Sequence, residues 1–341
     1  MKKIFTLCFV LIQYASVKAQ DIHFSQFFEA PLLRNPALAG IYEGDIRVQM
    51  VYKTQWTSVS RTAYRTGSLN AEYKMPVGRS MDFITVGAQI LHDKAGAAEL
   101  TTTHVLPAIN YHKSLSNEHS SYLSFGFMGG WVQKRIDYSK ITTDNMWAGG
   151  NFDPTLPPDE QFPSARLAYL DGSAGISFNT SLGRDDQHMF YIGGAYHHFN
   201  RPRNSFYRDA SIGVYPKYTV SWGLKYTIDV QQSLTVMGDW FKQGNYRELI
   251  GGALYSIKLG DFVDDPMYVF HVGLFTRVKD AFIPVIKIDK LPLSVTLSYD
   301  INTSSLKIAS QARGGFELGL SYKTFLDLYN SSRDKVICPV F

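Results

Sequence analysis

The chain has 341 residues, of which 45% are hydrophobic, 14% aromatic and 19% charged, and its formal net charge is +4. This composition excludes an intrinsically disordered protein, because so aromatic and weakly charged a chain can bury apolar surface. It also excludes a helical membrane bundle, which needs repeated apolar stretches of about 20 residues. The 21 Tyr, 22 Phe and 27 Gly favour β-structure with frequent turns.

Residues 1–19 have the pattern of a cleaved export signal. Two lysines precede an apolar stretch at residues 4–12, and cleavage is predicted after Ala19. The segment contains three lysines and no acid, so the mature chain keeps 31 basic against 30 acidic residues. A nearly neutral chain gives no reason to expect a nucleic-acid partner. Only Cys338 remains, which excludes an internal disulfide.

After the signal, the chain repeats about ten residues of strict apolar–polar alternation followed by a turn. In one such run, Trp222, Leu224 and Tyr226 alternate with Gly223, Lys225 and Thr227. A period of two gives each strand one apolar and one polar face. The apolar face would pack on a second sheet in a soluble sandwich, or face lipid in a transmembrane barrel.

Strand length, a polar face rich in Ser, Gly, Thr, Lys and Asp, and aromatic residues near strand ends all favour the barrel. We predict an all-β, antiparallel transmembrane barrel of about 14 strands (12–16). The expected strands are 44–54, 64–75, 82–92, 100–113, 119–134, 168–182, 187–199, 214–228, 232–241, 246–259, 267–277, 281–289, 292–300 and 314–324. The expected organisation is a signal peptide (1–19), a periplasmic N-terminal segment (20–43), the barrel (44–324) and a periplasmic tail (325–341).

The long connections give an internal check on this topology. With the N-terminus in the periplasm, the three longest connections (135–167, 200–213 and 301–313) all fall on the outer side, where long loops belong. Loop 135–167 is the longest and carries four prolines, which prevent regular strand pairing. Its Trp147, Phe152 and Phe162 are candidate partner-binding residues, since aromatics dominate interface hot spots. A passive cap on the barrel mouth is the alternative interpretation.

No catalytic signature is present in the sequence. A nucleophile elbow, a phosphate-binding loop, a dinucleotide fingerprint and zinc-binding spacings are all missing. The pair His197-His198 has no cluster of further ligands, and adjacent residues on a strand point to opposite faces. We therefore predict no catalytic residue, no cofactor and no metal site.

The mature N-terminus carries a specific pattern. Residues 20–28 read QDIHFSQFF, and PL and NPALAG follow at residues 31–32 and 35–40. This opening resembles that of the PorP/SprF family, outer-membrane proteins of the Bacteroidetes type IX secretion system, and the resemblance extends to the final CPVF. The family-motif residues are Phe24, Gln26, Asn35, Pro36, Gly40, Cys338, Pro339 and Phe341.

The opening segment also has a physical interpretation. Its Asn-Pro and Ala-Gly steps are turn and stop signals. Phe24, Phe27 and Phe28 would pack the segment under or inside the barrel mouth. A sorting or assembly feature without a partner is the alternative. The CPVF ending is interpreted either as a signal for barrel insertion or as a periplasmic contact.

The resemblance implies a non-enzymatic role, namely export or surface anchoring of a large adhesin, and for some members gliding motility. Implied partners are type IX components, including the lipoprotein of the periplasmic ring, an adhesin with a type IX C-terminal domain, and outer-membrane lipid. The alternative function is a porin or a channel for hydrophobic solutes. An outer-membrane hydrolase is a third class, but it needs a Ser/His/Asp constellation that the sequence lacks.

Overall fold

The computed structural model describes residues 21–56, 62–78, 81–116, 119–148, 150–159, 162–183, 186–260, 266–304 and 313–326. The expected signal peptide and the motif residues Cys338, Pro339 and Phe341 lie outside the described residues.

Fourteen antiparallel strands of the described chain form a closed barrel. Each strand pairs with its neighbours in the chain, and β1 pairs with β14 to close the cylinder. The predicted all-β barrel of about 14 strands is thus confirmed. The strands are β1 (Ile46–Gln55), β2 (Tyr64–Pro76), β3 (Phe83–Ala95), β4 (Leu100–Ser114), β5 (Ser121–Arg135), β6 (Arg166–Leu182), β7 (His188–His197), β8 (Lys217–Thr227), β9 (Gln232–Gln243), β10 (Tyr246–Leu259), β11 (Tyr268–Arg277), β12 (Ala281–Lys290), β13 (Leu293–Asn302) and β14 (Arg313–Thr324).

The alternation in the sequence determines which side chains face outwards. On β8, Trp222 and Leu224 are exposed on the outer face, whereas Thr219 and Ser221 are buried on the inner face. The other strands present exposed Leu, Ile, Val, Phe and Tyr to the outside in the same way. No helix in the described part of the chain is long and apolar enough to span a membrane.

The two ends of the barrel differ in their connections. At the short-turn end, β6 joins β7 through 183–187, β8 joins β9 through 228–231, and β12 joins β13 through 291–292. At the long-loop end, the connections include 136–165 and 198–216. The long-loop end thus contains the longest connections between barrel strands. One of them includes a short hairpin of two-residue strands, in which Trp147 pairs with Phe152.

Residues 21–45 lie inside the barrel and are called the plug. The plug contains two 3-10 turns (Phe27–Glu29 and Pro36–Leu38) and one turn of α-helix, α1 (Pro31–Arg34). Its first residue, Asp21, contacts Lys217 and Gln243 at the long-loop end. Its last residues reach the short-turn end, where the amide of Asp45 bonds the carbonyl of Thr324. The sequence predicts this segment under or inside the barrel mouth, and in the structure it extends along the lumen.

The outer face of β8 provides a direct test of the strand register. Leu224→Arg places a charge on the apolar outer face and should cost about 2–4 kcal/mol of unfolding free energy near the middle of a bilayer. Lys225→Gln changes the neighbouring inward side chain and should cost far less. Urea titration of the protein in lipid vesicles, together with gel mobility before and after boiling, measures both. Equal losses at the two positions would show that the register is wrong.

Candidate functional site

The plug fills the lumen so closely that most of its side chains are fully enclosed. Ser25, Gln26, Leu32, Asn35 and Ala37 are completely buried. In an open, water-filled pore the inner faces of the strands would be hydrated. Here the plug covers the inner face of the barrel. Because buried polar groups are costly unless they are bonded, the contacts between plug and barrel decide whether this arrangement is stable.

Glu317 on β14 binds the beginning of the plug. Its two carboxylate oxygens accept hydrogen bonds from the amides of Ser25 and Gln26, both at 2.8 Å. The side-chain amide of Gln26 donates to the backbone carbonyl of Glu317 at 2.9 Å and to Ser298 at 3.0 Å. Lys53 neutralises the carboxylate at 3.1 Å. These bonds satisfy a carboxylate that has no exposure to solvent.

Arg34 at the end of α1 forms the central ion pair. Its Nε and one terminal nitrogen donate to the two oxygens of Asp239 on β9, at 2.7 and 2.6 Å. The same terminal nitrogen donates to the hydroxyl of Tyr191 at 2.7 Å. A bidentate guanidinium–carboxylate pair fixes orientation as well as distance. The plug is therefore held in a defined rotation within the barrel.

Asn35 and Pro36 approach the barrel wall where the wall has glycine. A Cβ atom added to Gly175 or Gly193 would lie within 3.0 Å of the Asn35 side chain, and one added to Gly126 would collide with the backbone of Pro36. The Asn35 side-chain amide donates to the carbonyls of Ile176 and Gly194, at 3.1 and 3.3 Å, in the space these glycines leave. The shape of the wall matches this part of the plug.

A second carboxylate, Glu29 of the plug, bonds three wall residues. It accepts from Gln49 at 2.9 Å, from Lys287 at 2.9 Å and from Thr296 at 3.0 Å. At the short-turn end, Glu72 of β2 accepts from the amide of Gly40 at 2.8 Å and pairs with Arg47.

Apolar packing accompanies these polar contacts. Phe27 and Phe28 both pack on Phe275 of β11, with ring centroids 5.6 and 5.4 Å apart. Phe24 packs in a separate cluster with Val51 and Leu91. Aromatic pairs of this geometry add about 0.5–1.5 kcal/mol beyond the area they bury.

A charged cluster holds the first described residue at the long-loop end. His198 donates through both ring nitrogens, to Asp21 at 2.7 Å and to Asp171 at 2.8 Å. Burial alone would lower the pKa of His198, but the two carboxylates raise it to about 9. Burial alone would raise the pKa of Asp21, but the positive charges of His198 and Lys217 hold it well below its usual range. We call Asp21, Asp171 and His198 the latch.

His197 and His198 were predicted to point to opposite faces of the sheet. In the structure they do not. Strand β7 ends at His197, and His198 has a positive φ of 56°, which turns its ring towards the lumen as well. His197 lies 3.1 Å from the carbonyl of Arg34 and 3.0 Å from Ser173. Both rings are engaged by the plug or the wall, and the described residues contain no group of three His, Cys, Asp or Glu suited to a metal ion.

The aromatic residues predicted in the long loop occupy two different environments. Trp147 and Phe152 face each other across the two-residue hairpin, 5.5 Å apart, and are 61% and 40% exposed. Phe162 instead packs among Tyr138, Phe206 and Tyr207, between two long connections. The structure does not bring the three residues together, and only the first two are free to meet a partner.

The motif residues Phe24, Gln26, Asn35, Pro36 and Gly40 all lie in the plug, where each touches the wall or a neighbouring turn. The wall partners of the plug, chiefly Asp239, Glu317 and the wall glycines, were not predicted from the sequence. The sequence did contain one signal for such partners, namely charged residues at inward positions of the strands. A buried charge requires a compensating group.

These features define a class of protein: a 14-stranded outer-membrane barrel whose lumen is occupied by its own N-terminal segment. The family model described as "Type IX secretion system membrane protein PorP/SprF" matches residues 16–322, and the chain belongs to this family. It is accordingly a multi-pass outer-membrane protein. The family and the barrel fold are typical of secretion or transport components and not of enzymes.

Two solved structures are similar to the chain at low sequence identity. The Ralstonia pickettii toluene transporter TbuX matches with a TM-score of 0.50 and 10% identity, over 87% of this chain and 94% of that one. A Pseudomonas aeruginosa FadL homologue matches with a TM-score of 0.45 and 10% identity, over 85% and 92%. No curated protein matches the chain.

The Arg34–Asp239 pair provides a test of how the plug is held. Arg34→Met leaves a buried carboxylate without its partner and should destabilise the protein by about 3–5 kcal/mol. Arg34→Met combined with Asp239→Leu removes both charges and should recover much of that loss. Urea unfolding of the two variants in the same detergent makes the comparison. A double variant as unstable as the single one would show that the pair does not act as a unit.

The latch predicts a pH dependence at the start of the plug. Because the pKa of His198 is raised from its unfolded value of 6.5 to about 9, its stabilisation is complete below pH 6.5 and is lost as pH rises through 9. Amides of residues 21–26 should therefore lose protection from hydrogen exchange between pH 7 and pH 10, after correction for the intrinsic rate. The control His198→Asn should show weak protection at both pH values. Unchanged protection in the unmodified chain at pH 10 would contradict the prediction.

Proposed function

We propose that the protein is a non-enzymatic outer-membrane component of type IX secretion that supports the export or surface anchoring of a large adhesin. Membership of the PorP/SprF family supports the assignment to this secretion system. The observation that carries the mechanism is the plug. A lumen filled by buried ion pairs leaves no path for a polypeptide, so recognition of other proteins is assigned to the two ends of the barrel.

The long-loop end is the proposed surface for the adhesin, and we assign it to the cell exterior. Loop 136–165 is held by its own contacts, including the Ile136 amide to the Ala165 carbonyl at 3.0 Å and the Tyr138 hydroxyl to the Phe162 carbonyl at 2.9 Å. An ordered loop loses little entropy on binding. It presents Trp147 and Phe152, exposed aromatic side chains of the kind that dominate hot spots.

The short-turn end is then the proposed periplasmic face. We assign it the contacts with the type IX machinery, including the lipoprotein of the periplasmic ring. In this arrangement the barrel acts as a rigid adaptor that links a surface adhesin to the periplasmic machinery, and an involvement in gliding motility would follow from movement of that machinery.

The second candidate, a transport barrel, rests on the fold. One structural neighbour, TbuX, is described as a toluene transporter, but a similarity at 10% identity carries the fold alone. The plug argues against a passage, because Arg34, Gln26 and Asn35 are bonded to opposite parts of the wall. We therefore favour the adaptor function.

The exposed aromatic pair provides the test of this function. Trp147→Ser combined with Phe152→Ser should leave the barrel inserted but strongly reduce surface display of the partner adhesin, because it removes apolar contact area at the proposed interface. Deletion of residues 144–163 should abolish display. Antibody labelling of whole cells measures display, and gel mobility with and without boiling measures insertion.

The matched control is Tyr215→Ser, which changes an exposed aromatic residue of the long connection 198–216 and should leave display unchanged. Normal display in the Trp147/Phe152 double variant and in the deletion strain would show that the loop is a passive cap.

A further inference from the structure

A cavity of about 280 Å³ lies between the plug and the barrel wall near the short-turn end. The plug forms one side of it through Phe28 and Leu38, and the turn at residues 229–232 contributes to the other. Neither the adaptor function nor the bonds that hold the plug requires this space. Its lining is strongly charged, with six basic and three acidic side chains, and two of the basic ones, Arg34 and Arg47, are already paired with Asp239 and Glu72 outside the lining. The six are Arg34, Arg47, Lys225, Lys258, Lys287 and Lys323.

The three acidic side chains already have partners. Glu29 is paired with Lys287 at 2.9 Å, and Asp289 with His271 at 3.1 Å. Asp229 accepts two backbone amides of its own turn, from Gln231 and Gln232, at 2.8 and 2.7 Å. Among the described residues, none of these carboxylates forms an ion pair within 4.0 Å with Lys225 or Lys323.

Two of the lysines have no such partner. Lys225 on β8 and Lys323 on β14 are half-buried and form no ion pair within 4.0 Å with any residue of the described chain. Lys258 lines the same cavity. Ammonium groups enclosed by protein are less screened than surface charges, so an anion placed among them is attracted more strongly than at an open surface. The hydroxyls of Ser233 and Ser321 add hydrogen-bond donors at the same place.

We infer that this cavity is a binding site for a small, multiply charged oxyanion, namely a di- or tricarboxylate or a phosphate compound. Lysines act as point charges and impose no fixed fork geometry, so the site selects charge more than planar shape. The volume limits the ligand to a small molecule. The plug closes the side towards the long-loop end, so the ligand enters and leaves at the short-turn end.

The experiment is isothermal titration calorimetry. Citrate and, separately, pyrophosphate are titrated into the full mature protein in a non-ionic detergent without lipid. We expect saturable binding of at least one of them with one site per chain, and binding weakened by added sodium chloride. The tighter of the two distinguishes a carboxylate ligand from a phosphate ligand. Absence of saturable binding by both probes would overturn the inference.

Two variants locate the site. Lys225→Gln combined with Lys323→Gln should weaken binding by roughly tenfold or more, equivalent to about 1.4 kcal/mol. The control Lys290→Gln removes one lysine charge at the same end of the barrel, but from an exposed side chain over the Tyr268 ring, outside the cavity. It should bind like the unmodified protein. Equal affinity in the double variant and the control would overturn the assignment, and unchanged gel mobility before boiling verifies that both barrels are folded.

Discussion

The structure depends on one electrostatic constraint: the inner face of the barrel carries buried ionised side chains whose hydrogen bonds and ion pairs the plug completes. Asp239 and Glu317 are buried within the cylinder, and a buried charge without a partner costs several kcal/mol. Arg34 supplies the partner of Asp239, and the amides of Ser25 and Gln26 bond Glu317 beside Lys53 of the wall. A barrel of this sequence without its plug would have to hydrate the same groups, and the plug alone is too short to fold. Wall and plug therefore form one cooperative unit.

Shape reinforces this constraint. Where Asn35, Pro36 and Gln26 come nearest to the wall, the strands have glycine, and a Cβ at Gly175, Gly126 or Gly319 would collide with the plug. Gly126 and Gly175 lie opposite each other on the neighbouring strands β5 and β6, whereas Gly319 lies on β14, which β1–β4 separate from them, so the wall contacts the plug closely on two sides. Because the filled lumen offers no wide passage, the two ends of the barrel are left to perform the function. The long-loop end presents exposed aromatic residues and the short-turn end a cationic cavity.

The strands were predictable because alternation is a local property. The run expected at residues 214–228 is β8 at Lys217–Thr227, and the run expected at 232–241 is β9 at Gln232–Gln243. The contacts of the plug with the wall were not predictable from the sequence. Gln26 and Glu317, for example, are 291 positions apart, and no local pattern relates them. The same limit applied to the aromatic residues of the long loop. Phe162 is of a residue type common in interface hot spots, but its ring packs against Phe206 and Tyr207. The orientation of His198 depended on a backbone turn at the end of β7.

The central claim is that the plug closes the lumen in the native protein, and ion conductance across a planar lipid bilayer tests it most directly. We predict that the purified mature chain inserts without producing steady open-channel current, because Arg34, Gln26 and Asn35 remain bonded to the wall. Insertion is verified in parallel by the shift in gel mobility on boiling. A steady, reproducible open-channel current from the inserted, unmodified protein would contradict the account and favour a transport barrel.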